Sequence, residues 1–295
     1  MKRFLICLGS IVTALATTSV GAVDLDLPKL DQALGRTGGN QPGGVYKFSF
    51  PRSDLKVSVD GVDIKPALAL GSWVAFQLAG SDAMVMGDLV LKDTEISAVM
   101  KRLIDGGIQI SALHNHLLRT SEPIVYMHIA GHGGPTVLAQ TIHAALELTK
   151  TPLAQSTAAP PPPPALDTAG IEVALGFKGT ANGGVYQFSI PRAETISDEG
   201  MTIPPSMGTA IGINFQPTSE GKAAITGDFV LLGKEVNPVL KALREHGIEV
   251  TALHSHMIDD SPHLYFMHFW ANDDAKKLAQ GLRAALDLAN IKRGS

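Results

Sequence analysis

ALHNHLLRTSEPIVYMH, residues 112–128, and ALHSHMIDDSPHLYFMH, residues 252–268, are one pattern written twice, 140 positions apart. His114, His116 and His128 recur as His254, His256 and His268. Outward from this stretch the correspondence continues. Gly43-Gly44-Val45-Tyr46 is answered by Gly183-Gly184-Val185-Tyr186, and Phe48-Ser49-Phe50-Pro51-Arg52 by Phe188-Ser189-Ile190-Pro191-Arg192. Gly87-Asp88-Leu89-Val90-Leu91 is answered by Gly227-Asp228-Phe229-Val230-Leu231. Two copies make a tandem duplication rather than a solenoid. They span residues 28–150 and 167–292. Residues 151–166 between them carry five consecutive prolines, Pro160 to Pro164. Proline lacks the amide donor and fixes φ, so this segment reads as an extended, solvent-exposed tether.

Periodicity gives the elements of one copy. Val45–Phe50 alternates and reads as a strand, with a shorter one at Leu55–Val59 turning at Asp60-Gly61. Trp73–Leu78 and Met84–Leu91 read as a hairpin. Asp93 is placed to cap a helix over Thr94–Asp105, which Gly106-Gly107 ends. Ile108–Leu118 and Ile124–Ala130 form a second hairpin. Pro135 opens a last helix to about Leu148, with Val137, Ile142, Ala145 and Leu148 offered to its inner face. The second copy repeats the order. The fold class expected is α+β: two tandem repeats, each an antiparallel sheet with helices on one face.

The histidines carry the chemistry. His114 and His116 are two apart on a strand and so point to one side. A hairpin pairing 118 with 124 sets His116 opposite Tyr126 and His114 opposite His128. Three imidazoles on one sheet face suit nitrogen ligation of zinc, copper, nickel or iron with a position left open. The second copy offers His254, His256 and His268 with Phe266 beside them. On this reading each copy has its own site. Asp88 and Asp228 are candidate carboxylate ligands or partners behind the ligands, and His132 is a possible addition in the first copy only, since Asn272 replaces it. Half-buried histidines also serve as plain hydrogen-bonding groups, so a non-metal polar pocket stays open. Gly131-His132-Gly133-Gly134 reads as a turn or an anion contact. Glu95 and Glu235 read as first-turn carboxylates favoured by the helix dipole. Arg52 and Arg192 read as surface ion pairs. Met84, Met86 and Met100 read as core.

The chain is 295 residues long, 45% hydrophobic, with a formal charge of −4. Lys2, Arg3, the apolar run Phe4–Thr18 and the small residues Val20-Gly21-Ala22 read as a signal peptide, residues 1–22, cleaved after Ala22. Removing Lys2 and Arg3 takes the charge from −4 to −6. Cys7, the single cysteine, lies inside that segment and is badly placed for lipidation. A periplasmic or secreted protein without disulfides is expected. No basic stripe speaks for nucleic acid, and no later apolar run is long enough to span a membrane. No G-x-S-x-G elbow, Walker loop or H-E-x-x-H helix appears.

The pattern G-V-Y-x-F-x-x-P-R, then G-D-x-V-L, then A-L-H-[NS]-H-[LM] and a closing M-H resembles the secreted bacterial DUF1259 family, also called LppY/LpqO-like. The resemblance covers both repeats, with Ser255 in place of the asparagine found at Asn115. It implies the domain and the compartment but no reaction. Three classes therefore remain: a module binding a transition metal or small ligand, a metal-dependent hydrolase, and a structural or partner-binding protein.

Overall fold

The computed structural model describes residues 25–157, 159 and 161–293. The proposed signal segment and Cys7 lie outside them. The first repeat runs α1 (Leu27–Leu34), β1 (Gly39–Gln41), β2 (Val45–Pro51), the small hairpin β3 (Ser58–Val59) and β4 (Val62–Asp63), α2 (Pro66–Ala69), β5 (Gly71–Ala79), β6 (Asp82–Lys92), α3 (Ile96–Asp105), β7 (Gln109–His114), β8 (Ile124–Gly133) and α4 (Pro135–Leu146). The second runs α5 (Thr168–Leu175), β9 (Thr180–Asn182), β10 (Val185–Pro191), β11 (Ser197–Asp198), β12 (Met201–Thr202), β13 (Ala210–Ser219), β14 (Lys222–Leu232), α6 (Gly233–Glu245), β15 (Glu249–His254), β16 (Asp260–Ser261), β17 (Leu264–Asp274) and α7 (Ala275–Leu286). Each repeat builds a six-stranded antiparallel sheet, in the orders β1-β2-β5-β6-β8-β7 and β9-β10-β13-β14-β17-β15.

Side chains alternate across a strand, so each sheet has two faces to cover. In the first repeat Phe48, Phe76, Val85, Leu89, Met127 and Ile129 pack with Leu30, Leu34, Val99, Leu103, Leu138 and Ile142 of the helices. The opposite face meets the other repeat. Met84 and Met86 join the core of the second repeat, while Val90 and Tyr126 pack with Val185, Ala224 and Trp270. The layers are therefore helix, sheet, sheet, helix. A strand covered on both sides needs no polar face, which is why Ala83–Leu91 is buried without interruption. Polar bonds fix the two repeats in register. Gln216 accepts from Lys65 N (2.9 Å) and donates to Asp63 O (2.7 Å), Gln187 donates to Ala67 O (2.8 Å), and Trp270 Nε1 donates to Asp60 (3.1 Å).

Gly87 and Gly227 stand at a close approach of strands. A Cβ on Gly227 would come within 1.9 Å of Gly212 O, and one on Gly87 within 2.7 Å of Trp73 O. The Gly-Asp pairs are thus positions where the backbone needs the glycine and the aspartate beside it faces the other sheet.

Four local expectations are corrected. Asp93 does not cap α3; its side chain accepts from its neighbour Thr94 N, and Glu95 reaches back to accept from Lys92 N (2.9 Å). The inner face of α4 is Leu138, Ala139, Ile142, Ala145 and Leu146, with Val137 and Leu148 turned to solvent. Gly131-His132-Gly133 continues strand β8 rather than turning. Most consequentially, Arg52 and Arg192 are not on the surface. Arg52 is fully buried. It gives Nη1 to Val90 O (2.6 Å) and to Glu95 Oε2 (2.9 Å), and Nη2 to Glu95 Oε1 (3.1 Å). Its Nε and Nη2 both reach Asp54 (2.9 Å). Arg192 repeats this with Val230, Glu235 and Glu194. The fork of five donors is matched by acceptors set for it, which is how a buried guanidinium is tolerated. Removing one partner strands the other, so Arg52→Ala is expected to cost about 3–5 kcal/mol by leaving Glu95 buried without a counter-charge. Urea unfolding of the variant checks this; a loss under about 1 kcal/mol would mean the pair is dispensable.

Candidate metal centre

The histidine hairpins lie at the ends of β7–β8 and β15–β17, on the faces that the two sheets turn toward each other. Their register differs from the expectation by two residues. His114 pairs with Tyr126 and Ala112 with His128, after an irregularity between Ile110 and Ala112. A shift of two preserves the face, so the three imidazoles still point the same way. His116 lies past the end of β7 and stacks on Tyr126, ring centroids 3.4 Å apart; His256 does the same on Phe266 at 3.5 Å.

The sheet faces that carry the histidines of the two repeats are turned toward each other. The six imidazoles meet. His114 lies 3.5 Å from His254, His116 lies 3.8 Å from His268, and His128 lies 3.6 Å from His256, centroid to centroid. Each close pair takes one ring from each repeat. Exchanging the repeats maps His114 onto His254 and the second pair onto the third, so the cluster sits on a pseudo-twofold axis. Two overlapping groups bring ligand atoms within 4.8 Å of one another: His114 with His254, His256 and His268, and His114 with His116 and His128.

The electrostatics suit a cation rather than protons. Burial drives His116, His128, His256 and His268 well below the ordinary imidazole range, with the neighbouring imidazoles adding to it. His114 is pushed down to about 3, first by burial and then by His254. His254 moves down as well, again by burial, against a bond to Ser255 O. All six rings are neutral at pH 7 and each carries one basic lone pair. His268 Nδ1 lies 3.0 Å from Gly227 O; a carbonyl only accepts, so Nδ1 holds the proton and Nε2 presents its lone pair to the cluster. Buried Nε2 atoms of all six histidines lack a protein hydrogen-bond partner. Buried polar atoms are rarely left so, and six converging ones fit a shared ligand.

Asp88 faces His128 across the ladder, and its Oδ2 is 3.7 Å from Nε2 of both His116 and His128. Burial, then the charge of Asp228, pushes Asp88 well above the usual carboxylate range, while Lys47 opposes the shift. Burial pushes Asp228 up to about 7. His132 is elsewhere: its Nε2 is 3.2 Å from Glu199 Oε2. Lys47, which sequence reasoning missed, is pushed down to about 8 by burial against the pull of Asp88, and donates to Ser206 O (3.0 Å). A lysine in the alternating strand where the second copy has Gln187 was the available signal.

The two flanks of the centre differ. On one, Tyr126 Oη donates to Ala69 O (2.8 Å) and Thr251 Oγ1 to His116 O (2.5 Å). On the other Phe266 has no hydroxyl to give. There a cleft of about 280 Å³, counting its open mouth, runs between Trp73, Met86, Met207, Met257 and Phe266 to His128 and His256.

A family model described as Domain of Unknown Function (DUF1259) matches residues 28–148 and again 169–288. The chain belongs to that family. As a DUF1259 protein it carries two tandem copies, and the boundary between the matches falls on the proline-rich segment. No curated protein matches it. Among solved structures it is similar to the trimeric bacterial microcompartment shell protein PduB, with 13% identity, 85% of this chain and 89% of that chain covered, and a TM-score of 0.22. It is also similar to EtuB from Clostridium kluyveri, with 8% identity, coverage of 85% and 88%, and a TM-score of 0.20. Likenesses this distant bear on neither fold nor function. No helix among the described residues is long and apolar enough to cross a membrane.

Proposed function

We propose that this DUF1259 protein is exported after loss of residues 1–22 and binds a transition metal ion at one centre shared by its two repeats. The observation that carries this is the convergence of neutral, buried imidazoles from both repeats with their Nε2 atoms left without protein partners. His114, His116, His128, His254, His256 and His268 would hold the ion. Asp88 and Asp228 stand beside or behind them, with protons to give up as a cation enters. An imidazole donor set suits zinc, copper, nickel or iron. Binding fits better than hydrolysis: the cleft beside His128 and His256 encloses only about 10 Å³, room for roughly one water. It admits an ion more readily than a substrate. When bound, the metal would supply a fixed positive charge and Lewis acidity. The residues supply lone pairs in a water-poor interface, held in orientation by contacts such as His268 to Gly227.

The test is metal analysis by mass spectrometry on mature protein purified without a histidine tag. Roughly one equivalent per chain is expected, either as purified or after incubation with these four ions at neutral pH. Failure to retain any of them would sink the reading and leave a ligand-binding or structural pocket.

A further inference from the structure

A second set of reactive side chains lies outside the six histidines and only in the second repeat. Asp260, on β16, has a side chain just 1% exposed. Its Oδ2 accepts from Leu264 N at 2.7 Å, and its Oδ1 lies 2.7 Å from His263 Nδ1. A carboxylate accepts, so Nδ1 carries the proton and Nε2 the lone pair. That Nε2 lies 3.1 Å from Ser255 Oγ, whose other contact is the carbonyl of Leu264 at 3.3 Å. Nucleophile, base and a buried carboxylate that orients the base are thus in line, each within hydrogen-bond reach of the next. The first repeat has none of the three. Asn115, Pro123 and Thr120 stand at the matching positions, so this relay is not a requirement of the shared hairpin. His263 is half exposed, with the Tyr265 ring edge-on at 5.0 Å, and Leu253 and Ile258 nearby in the chain are exposed apolar residues.

We propose that Ser255, His263 and Asp260 form a serine nucleophile relay that hydrolyses carboxylic esters. Ser255 Oγ attacks the acyl carbon as its proton passes to His263 Nε2, and the resulting imidazolium is held by Asp260. The carbonyl electron pair moves to oxygen and returns as the ester C–O bond breaks, and the alcohol leaves with the proton from His263. Water, deprotonated by the same imidazole, then attacks the acyl-serine. The acid departs and Ser255 recovers its proton. Ser255 and His263 are the catalytic residues, and Asp260 is a positioning residue.

The experiment uses full mature protein treated with a chelator, so that metal-activated water cannot be the source of turnover. It is exposed to a fluorophosphonate probe, the adduct is located by peptide mass spectrometry, and hydrolysis of p-nitrophenyl acetate is followed in parallel. The expected result is an adduct on Ser255 that is absent from Ser255→Ala. Labelling and hydrolysis should slow at least ~100-fold in His263→Gln, with circular dichroism unchanged because the replaced ring is half exposed. Asp260→Asn should lower kcat while leaving KM close to wild type. No adduct on Ser255 in folded wild type, or equal labelling of His263→Gln, would overturn the proposal. Neither outcome depends on whether the six-histidine centre binds metal.

Discussion

A chain carrying His114→Ala and His116→Ala is expected to lose nearly all its bound metal, not half of it. Two independent sites would leave the second repeat loaded. The geometry predicts otherwise, because His114 belongs to both groups of converging ligand atoms and lies 3.5 Å from His254 across the repeat boundary. A neutral imidazole has one lone pair and serves one ion at a time. With this pair removed, content should fall from roughly one equivalent to below about a tenth, a loss of affinity of at least ~100-fold. Retention of half would restore the picture of one site per repeat. The reciprocal variant, His254→Ala with His256→Ala, reports which group dominates. Metal that survives it would be assigned to His114, His116 and His128.

Metal-free protein is expected to lose stability steeply as pH falls from about 6 to 4. His114, His116, His128, His256 and His268 have folded pKa values far below the unfolded value of about 6.5. In that window the unfolded chain binds protons that the folded chain refuses, so stability falls as pH falls. Asp88 and Asp228 act the other way. Their folded values are raised, so the folded chain holds two protons that the unfolded chain has released above about pH 4. Five imidazoles against two carboxyls leave a net difference of about three protons, or roughly 4 kcal/mol per pH unit. Urea midpoints between pH 4 and 7 measure it. A flat profile would mean that the imidazoles protonate in place. A bound metal should steepen the dependence, since protons must first displace it.

Much of this was legible in the sequence. The tandem duplication, the order of elements and the six histidines follow from internal self-comparison, and Pro135 at the start of α4 from its fixed φ. What could not be read is anything that depends on how the repeats meet. The alternation of apolar residues told which side of β8 the histidines occupy, but not that the same side of β17 would close over it. The hairpin register failed because β7 ends at His114 and β8 begins at Ile124, a longer connection than a pairing of 118 with 124 allows. Arg52 looked like a surface charge because its acceptors come from three separated places: Asp54, Val90 and Glu95. The repeated retention of Arg52 with Glu95 and Arg192 with Glu235, at the same spacing of 43, was the available clue. The Ser255 relay was hidden for the opposite reason: it exists in one copy only, so comparing the copies discards it.

The pseudo-twofold axis through the histidines has an evolutionary consequence. A chain with a single repeat would own three of the six imidazoles and an uncovered apolar sheet face. To assemble the same centre it would have to pair with a copy of itself through an isologous contact, and its assembly would depend on concentration. Fusion of two repeats removes that dependence. It also frees the halves to diverge, as Tyr126 and Phe266 have done on the two flanks of one pocket.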